Sequence, residues 1–211
     1  MALAMLNNNI PKYLTDQRQK AWRPVFVTEI VGKTLAVIGL GAMGGAVARA
    51  GKSLGLHVIG IRRSGRPTRQ VREVYPPGKL KQVLKRADFV ALTLPHTAAT
   101  AGLMDAAALD AMKPGAGLIN MGRGGVLDHK ALAQRLRDGR LGGAILDVHD
   151  PEPIPKSSRL WAVPNLILTP HVSSDDDLTY VPRTLDLVFA NMARLLAGKP
   201  LHNRVDPKLG Y

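Results

Sequence analysis

Three side chains in this sequence have types suited to acid–base work on a small carboxylic acid: Arg123, Glu152 and His171. Arg123 lies in NMGRGGVLD, where glycines let a ligand approach closely, and its guanidinium can grip a carboxylate through two parallel hydrogen bonds. His171 follows Thr169 and Pro170. Its imidazole can give a proton to a carbonyl oxygen as hydride arrives there, and take it back in the reverse direction. Glu152 stands between Pro151 and Pro153 on a stiff loop. A hydrogen bond from it to His171 would raise that ring's pKa towards working pH. Each of the three, taken alone, is more often a surface or packing residue than a catalyst. Their joint placement, each just after an apolar run, favours the chemical reading.

Hydride must come from a borrowed cofactor, and the segment TLAVIGLGAMGG offers a place for one. It sets Gly39, Gly41 and Gly44 in a G-x-G-x-x-G between an apolar run and a helix-like segment. In that context the first glycine permits the tight turn and the second lets backbone approach a pyrophosphate. The third lets helix and strand pack closely, with the phosphates facing the helix N-terminus at Ala42 and Met43. A glycine-rich turn with no ligand is the bland alternative. A second apolar run ends about 20 residues on. There an NAD-type domain carries an acid for the ribose 2′-hydroxyl, but this chain has Arg62, Arg63 and Ser64. Two guanidinium groups and a hydroxyl suit a 2′-phosphate, so the expectation is NADP, with NAD possible; the bland alternative is a solvated basic loop.

Positioning these residues takes a regular framework. Short apolar runs at 34–38, 57–61, 89–94, 117–120, 144–148 and 166–169 read as buried strands. Helix-like segments stand near 43–54, 79–86, 106–112, 128–137 and 184–197. Strands alternating with helices predict a doubly wound α/β fold, the Rossmann fold, around a parallel sheet. Asp128 is a helix N-cap, and Gly139 and Gly198 stand where C-terminal glycines belong. In such sheets ligands bind beyond the carboxyl ends of the strands. That rule gathers Leu94, Pro95, Thr100, Met121, Gly122, Asp147 and Ser173 around the same crevice, with Arg123 and His171 also at the cofactor and Asp147 accepting from a nicotinamide amide. His57, His129, His149 and His202 read as structural or solvated, and His96 is undecided. The expected organisation is 1–31 as an attachment outside the core, with a helical run over 12–22; 32–174 as the nucleotide domain; and 175–211 as a C-terminal helix and tail.

The formal charge of +13 would ordinarily raise nucleic acid or an anionic membrane as partner. The excess is local, because residues 61–86 hold nine basic residues against the single acid Glu73. With aromatics at only 4% there is no base-stacking pattern, so neither partner is expected. No cysteine is present, which excludes thiolate metal sites and disulfides and fits a reducing cytoplasm. No His, Asp or Glu spacing resembles a metal site. The longest apolar stretch is broken by glycines and is shorter than the roughly 20 residues a membrane helix needs.

The run GLGAMG, the loop TLPHTAAT, and the segments INMGRGGVLD, GGAILDVHDPEP and TPH resemble, in order and spacing, the signatures of the D-isomer-specific 2-hydroxyacid dehydrogenases. The resemblance extends to the ending NRVDPKLGY. It implies that Arg123 binds substrate, Glu152 partners the acid–base His171, and Asp147 stands beside the nicotinamide. Arg62–Arg63–Ser64 is similar to the NADP-preferring glyoxylate and hydroxypyruvate reductases. The implied substrate is a small 2-keto or D-2-hydroxy acid and the implied assembly a homodimer. The family's substrate domain precedes its cofactor domain, so 1–31 is expected to be a helical remnant of a largely missing domain, with turnover impaired. A non-catalytic dinucleotide-binding or regulatory domain is the alternative. His149 departs from the family, which has an aromatic or apolar residue there.

Overall fold

The computed structural model describes residues 1–173 and 176–206. Residues 174–175, at the expected domain boundary, and 207–211, which end the resemblance, lie outside the described residues. The chain divides into two units, Met1–His171 and Val172–Tyr211.

The first unit is built on seven strands: β1 (Thr34–Ile38), β2 (His57–Ile61), β3 (Glu73–Tyr75), β4 (Phe89–Leu92), β5 (Gly117–Asn120), β6 (Gly143–Leu146) and β7 (Leu166–Leu168). They form one parallel sheet in the order β3-β2-β1-β4-β5-β6-β7. Around it stand α1 (Ala2–Asn7), α2 (Ile10–Arg18), α3 (Ala42–Ser53), α4 (Leu80–Leu84), α5 (Ala106–Asp110) and α6 (His129–Arg137). The second unit holds α7 (Tyr180–Leu196).

Successive strand residues point to opposite faces, and here both faces are apolar. Ala36 and Ile38 pack with Leu84, Leu109 and Leu132 from α4, α5 and α6. Leu35 and Val37 pack on the other side with Ala48 of α3 and with Leu3 and Leu6 of α1. A parallel sheet needs cover on both faces, and α1 supplies part of it, which corrects for that helix the expectation that residues 1–31 lie outside the core, whereas residues 22–29 are exposed. Leu6 lies directly over the sheet, where a Cβ at Gly117 would come within 2.9 Å of it.

Most predicted strands and helices appear within a few residues of their expected limits. The strand β3 was not expected at all. The predicted helix over 12–22 is α2, beginning earlier with Pro11 in its first turn. Similarly α7 starts ahead of Pro182, because a first-turn amide has no helical acceptor to lose. The segment expected as a helix over 79–86 opens as a 3-10 turn, Pro77–Lys79, before α4. Asp128 caps α6 by accepting from the Ala131 N–H at 2.9 Å.

Candidate active site

The strand order reverses between β1 and β4, and a crevice opens at such a switch point. Two residues close it. Gly39 follows β1 with φ +106, a conformation that glycine adopts without penalty, and Thr93 follows β4. The Thr93 hydroxyl donates to Gly39 O at 2.6 Å, tying the two loops. At Gly44 a Cβ would fall 1.9 Å from Gly39 O, while at Gly41 it would meet nothing within 4 Å. The third glycine is therefore spent on packing α3 against β1, and the second leaves open space in front of the helix. No side chain caps the N-terminus of α3, and Gly41, Ala42 and Met43 are exposed. An open cradle of backbone N–H groups at a helix N-terminus suits a pyrophosphate.

At the end of β2 the chain turns, with Gly65 N–H donating to Arg62 O at 2.9 Å. Arg62, Arg63 and Ser64 are exposed there. The Arg62 amide donates to Tyr75 O, so β3 sets the direction of this turn. Glu73, the lone acid of the basic stretch, is occupied: Arg86 and the Tyr75 hydroxyl bind its Oε1 and His57 its Oε2. Arg86 above all, then Tyr75 and His57, outweigh burial and hold its pKa at about 2.

Across the crevice, Leu94 packs over Gly39, and its carbonyl would lie 2.6 Å from a Cβ at Gly122. Pro95 O accepts from the Thr100 hydroxyl at 2.6 Å, and that hydroxyl also accepts from Thr97 N–H. Thr100 thus holds the loop together. The His96 ring lies against Gly125, within 2.7 Å of where a Cβ would stand. At the end of β5, Asn120 is fully buried. It accepts from Gly122 N–H and donates to Arg123 O, both at 3.1 Å. This residue, not singled out from sequence, shapes the Met121–Arg123 loop and leaves the Arg123 side chain exposed.

The predicted acid–base pair is brought together. His171 Nδ1 and Glu152 Oε2 are 2.9 Å apart, with the two side chains 45% and 35% exposed. Burial raises the Glu152 pKa, but the His171 ring, the His149 amide and the charges of both imidazoles outweigh it, leaving Glu152 below the usual carboxylate range. His171 has φ +57, a left-handed backbone uncommon outside glycine. Asp147 is buried, and Thr169 Oγ1 donates to its Oδ1 at 2.5 Å. His129 and His149 are enclosed rather than solvated. Ser173 belongs to the second unit and is exposed. Among the described residues no group of three or more His, Cys, Asp or Glu could hold a metal ion, and no helix is long and apolar enough to cross a membrane.

Fold and cradle together define a dinucleotide-binding Rossmann domain with a hydrogen-bonded His171–Glu152 pair on the same edge of the sheet. Comparison makes this specific: residues 1–173 match the family model for the D-isomer specific 2-hydroxyacid dehydrogenase, NAD binding domain, and the chain belongs to that family. It is 33% identical to a glyoxylate reductase of Korarchaeum cryptofilum over 215 residues, covering 99% of this chain and 64% of that protein. A glyoxylate reductase of Pyrococcus furiosus is 37% identical over 158 residues, 73% of this chain and 46% of its own. The chain thus spans about half to two thirds of the length of such curated relatives. Among solved structures, a D-isomer specific 2-hydroxyacid dehydrogenase from Xanthobacter autotrophicus Py2, in complex with NADPH and MES, superposes with a TM-score of 0.89. It shares 34% identity and covers 100% of this chain and 86% of that one. An NADPH-dependent glyoxylate/hydroxypyruvate reductase from Sinorhizobium meliloti, solved with NADP and sulfate, has a TM-score of 0.88 and 32% identity, covering 99% of this chain and 66% of that one.

Proposed function

We propose that this chain is the cofactor-binding part of an NADP(H)-dependent oxidoreductase interconverting a small 2-keto acid, such as glyoxylate or hydroxypyruvate, with its D-2-hydroxy acid. The observation that carries the reading is the His171–Glu152 pair at 2.9 Å, on the same edge of the sheet as the glycine cradle. Preference for NADP(H) is supported by exposed Arg62, Arg63 and Ser64 and by the engagement of Glu73, the nearby acid. The similar Xanthobacter and Sinorhizobium proteins carry NADPH and NADP.

Bound in the cradle, the reduced dinucleotide would supply hydride, which no protein side chain offers. The backbone at Gly41, Ala42 and Met43 would hold its pyrophosphate, and Asp147, just beyond β6, would accept from the nicotinamide amide. Arg123 binds the substrate carboxylate by its guanidinium fork. His171 Nδ1 is taken up by Glu152, which leaves Nε2 to deliver a proton to the carbonyl oxygen and to recover it during oxidation. Glu152 stabilises the charged ring and holds the neutral one with its proton on Nδ1. Arg123 and His171 are both exposed; water at such a site screens their charges, and the acid is positioned from one side only. The 211-residue chain by itself therefore binds cofactor but turns over far below the ordinary 1–10³ per second or so. A homodimer is the assembly implied by the family resemblance.

The test is NADPH oxidation by the purified chain with glyoxylate, hydroxypyruvate and pyruvate, alongside His171→Ala. The variant should lose about 10²–10⁴-fold of whatever rate is seen while binding NADPH as before. A rate indifferent to His171→Ala would remove the proposed role. Cofactor binding with no turnover even when a substrate domain is supplied would favour a regulatory dinucleotide-binding domain.

A further inference from the structure

His149 has no part in the chemistry above, yet it touches Glu152 and the loops that carry Arg123 and His171. Its side chain is buried, and ring Nε2 lies 2.9 Å from Thr169 O, two residues ahead of His171. Its backbone N–H donates to Glu152 Oε1 at 2.6 Å, the carboxylate whose other oxygen meets His171. Its carbonyl presses on Gly124, next to Arg123, so closely that a Cβ there would fall 1.9 Å from the oxygen. Arg123, Glu152 and His171 sit on three loops, after β5, β6 and β7. Strand pairing alone does not set the spacing of their side chains.

We propose that His149 is a positioning residue: by donating from Nε2 to Thr169 O it locks the loop after β6 onto the end of β7, so that Glu152 meets His171. The reaction this serves rests on the function proposed above; the lock itself rests on the geometry. Amide and carbonyl contacts are open to any residue at 149. The ring contact is not. An apolar ring would fill the same volume but leave the Thr169 carbonyl, on a half-buried residue, without its donor, and a sheltered acceptor stripped of its partner is costly. The donor on Nε2 makes Nδ1 the unprotonated nitrogen of the neutral ring, and Nδ1 has no hydrogen-bond partner among the described residues. The titratable groups about His149 are His129 from α6, with ring centroids 6.5 Å apart, Glu152 and Asp150 on its own loop, Asp147 at the start of that loop, and His171 across the Glu152 bridge. Burial, then the nearby His149 ring, lowers the pKa of His129, against the opposing pull of Asp150 and Asp128.

The experiment is a ¹⁵N NMR titration of the histidines in the 211-residue chain, with NADPH affinity measured on the same samples. In the unmodified chain the neutral His149 ring should carry its proton on Nε2. In His149→Phe the His171 titration should move to lower pH by roughly 0.5, because a loosened carboxylate in a half-exposed pair favours the imidazolium less. NADPH affinity should stay within about twofold, since the glycine cradle is a separate site. His149→Gln places an amide nitrogen near the position of Nε2 and should restore the His171 titration; His149→Asn, reaching only the Nδ1 position, should not. A merely structural residue would change stability and leave His171 unmoved. An unchanged His171 titration in the Phe and Asn variants, or a neutral His149 protonated on Nδ1, would overturn the lock. Were the Phe variant not to fold, the tautomer and the Gln–Asn contrast decide it. Failure of the unmodified chain to bind NADPH would instead sink the functional reading, with the titration still judging the lock.

Discussion

An imidazole acts as an acid at a defined atom only when its other nitrogen is held, and Glu152 holds Nδ1 of His171 at 2.9 Å. Residue type and position after an apolar run single out Arg123, Glu152 and His171 as candidates in the sequence, and the structure brings two of them, Glu152 and His171, into contact. Asn120 escaped because an asparagine ending an apolar strand looks like any strand terminus; its role depends on its amide folding back on Gly122 and Arg123. From sequence His149 reads as structural or solvated, because the partner of its ring lies 20 residues away, beyond any local pattern. The arginines after β2 carry a prediction at this same scale. A charge-assisted hydrogen bond contributes about 1.5–3 kcal/mol, so Arg62→Asp should weaken NADPH roughly 10- to 100-fold and favour NADH. Isothermal titration with both cofactors checks it, and an unaltered preference would mean that the turn at Arg62–Ser64 does not face the 2′-phosphate.

Strands with long apolar runs were legible because burial on both faces leaves a continuous hydrophobic signature. β3 was not, since three half-buried residues inside a basic stretch carry no period. It is held at the sheet edge by its side chains as well as its ladder. A carboxyl lowered from 4.5 to about 2 binds fewer protons folded than unfolded. Glu73 therefore stabilises the fold fully above pH 4.5, and that contribution is lost as pH falls through about 2. With Glu73 34% and Arg86 41% exposed, solvent screening reduces the effect to about 1 kcal/mol. Glu73→Gln should show that loss at pH 7 by chemical denaturation, with less further loss on acidification than the parent. The glycine loop gives a paired prediction. Gly44→Ala drives a Cβ into Gly39 O and should lower stability by about 1–3 kcal/mol. Gly41→Ala points into open space; it should change stability by less than about 0.5 kcal/mol yet sharply weaken NADPH binding. Equal cofactor affinity for Gly41→Ala and the parent would show that the space before α3 is not the pyrophosphate cradle.

At the scale of the molecule, the first unit is a sheet covered on both sides, and α1 and α2 belong to that cover. Composition made MALAML look like an appendage. Its burial depends on Gly117 and Gly143, two glycines whose missing side chains make room for Leu6, which only the assembled sheet reveals. The crevice at the switch point between β1 and β4 lies wholly in this unit, so cofactor binding should not depend on anything beyond it. The proposed turnover should depend on more, because Arg123 and His171 are exposed and a substrate held from one side only would be poorly positioned. We propose that this chain is a dinucleotide-binding domain tuned to the phosphorylated cofactor, and calorimetric titration of the 211-residue chain with NADPH and NADH is the decisive measurement. Saturable one-to-one binding of NADPH, at least about tenfold tighter than NADH, is expected; no binding of either, or binding of NADH at equal strength, would overturn that reading.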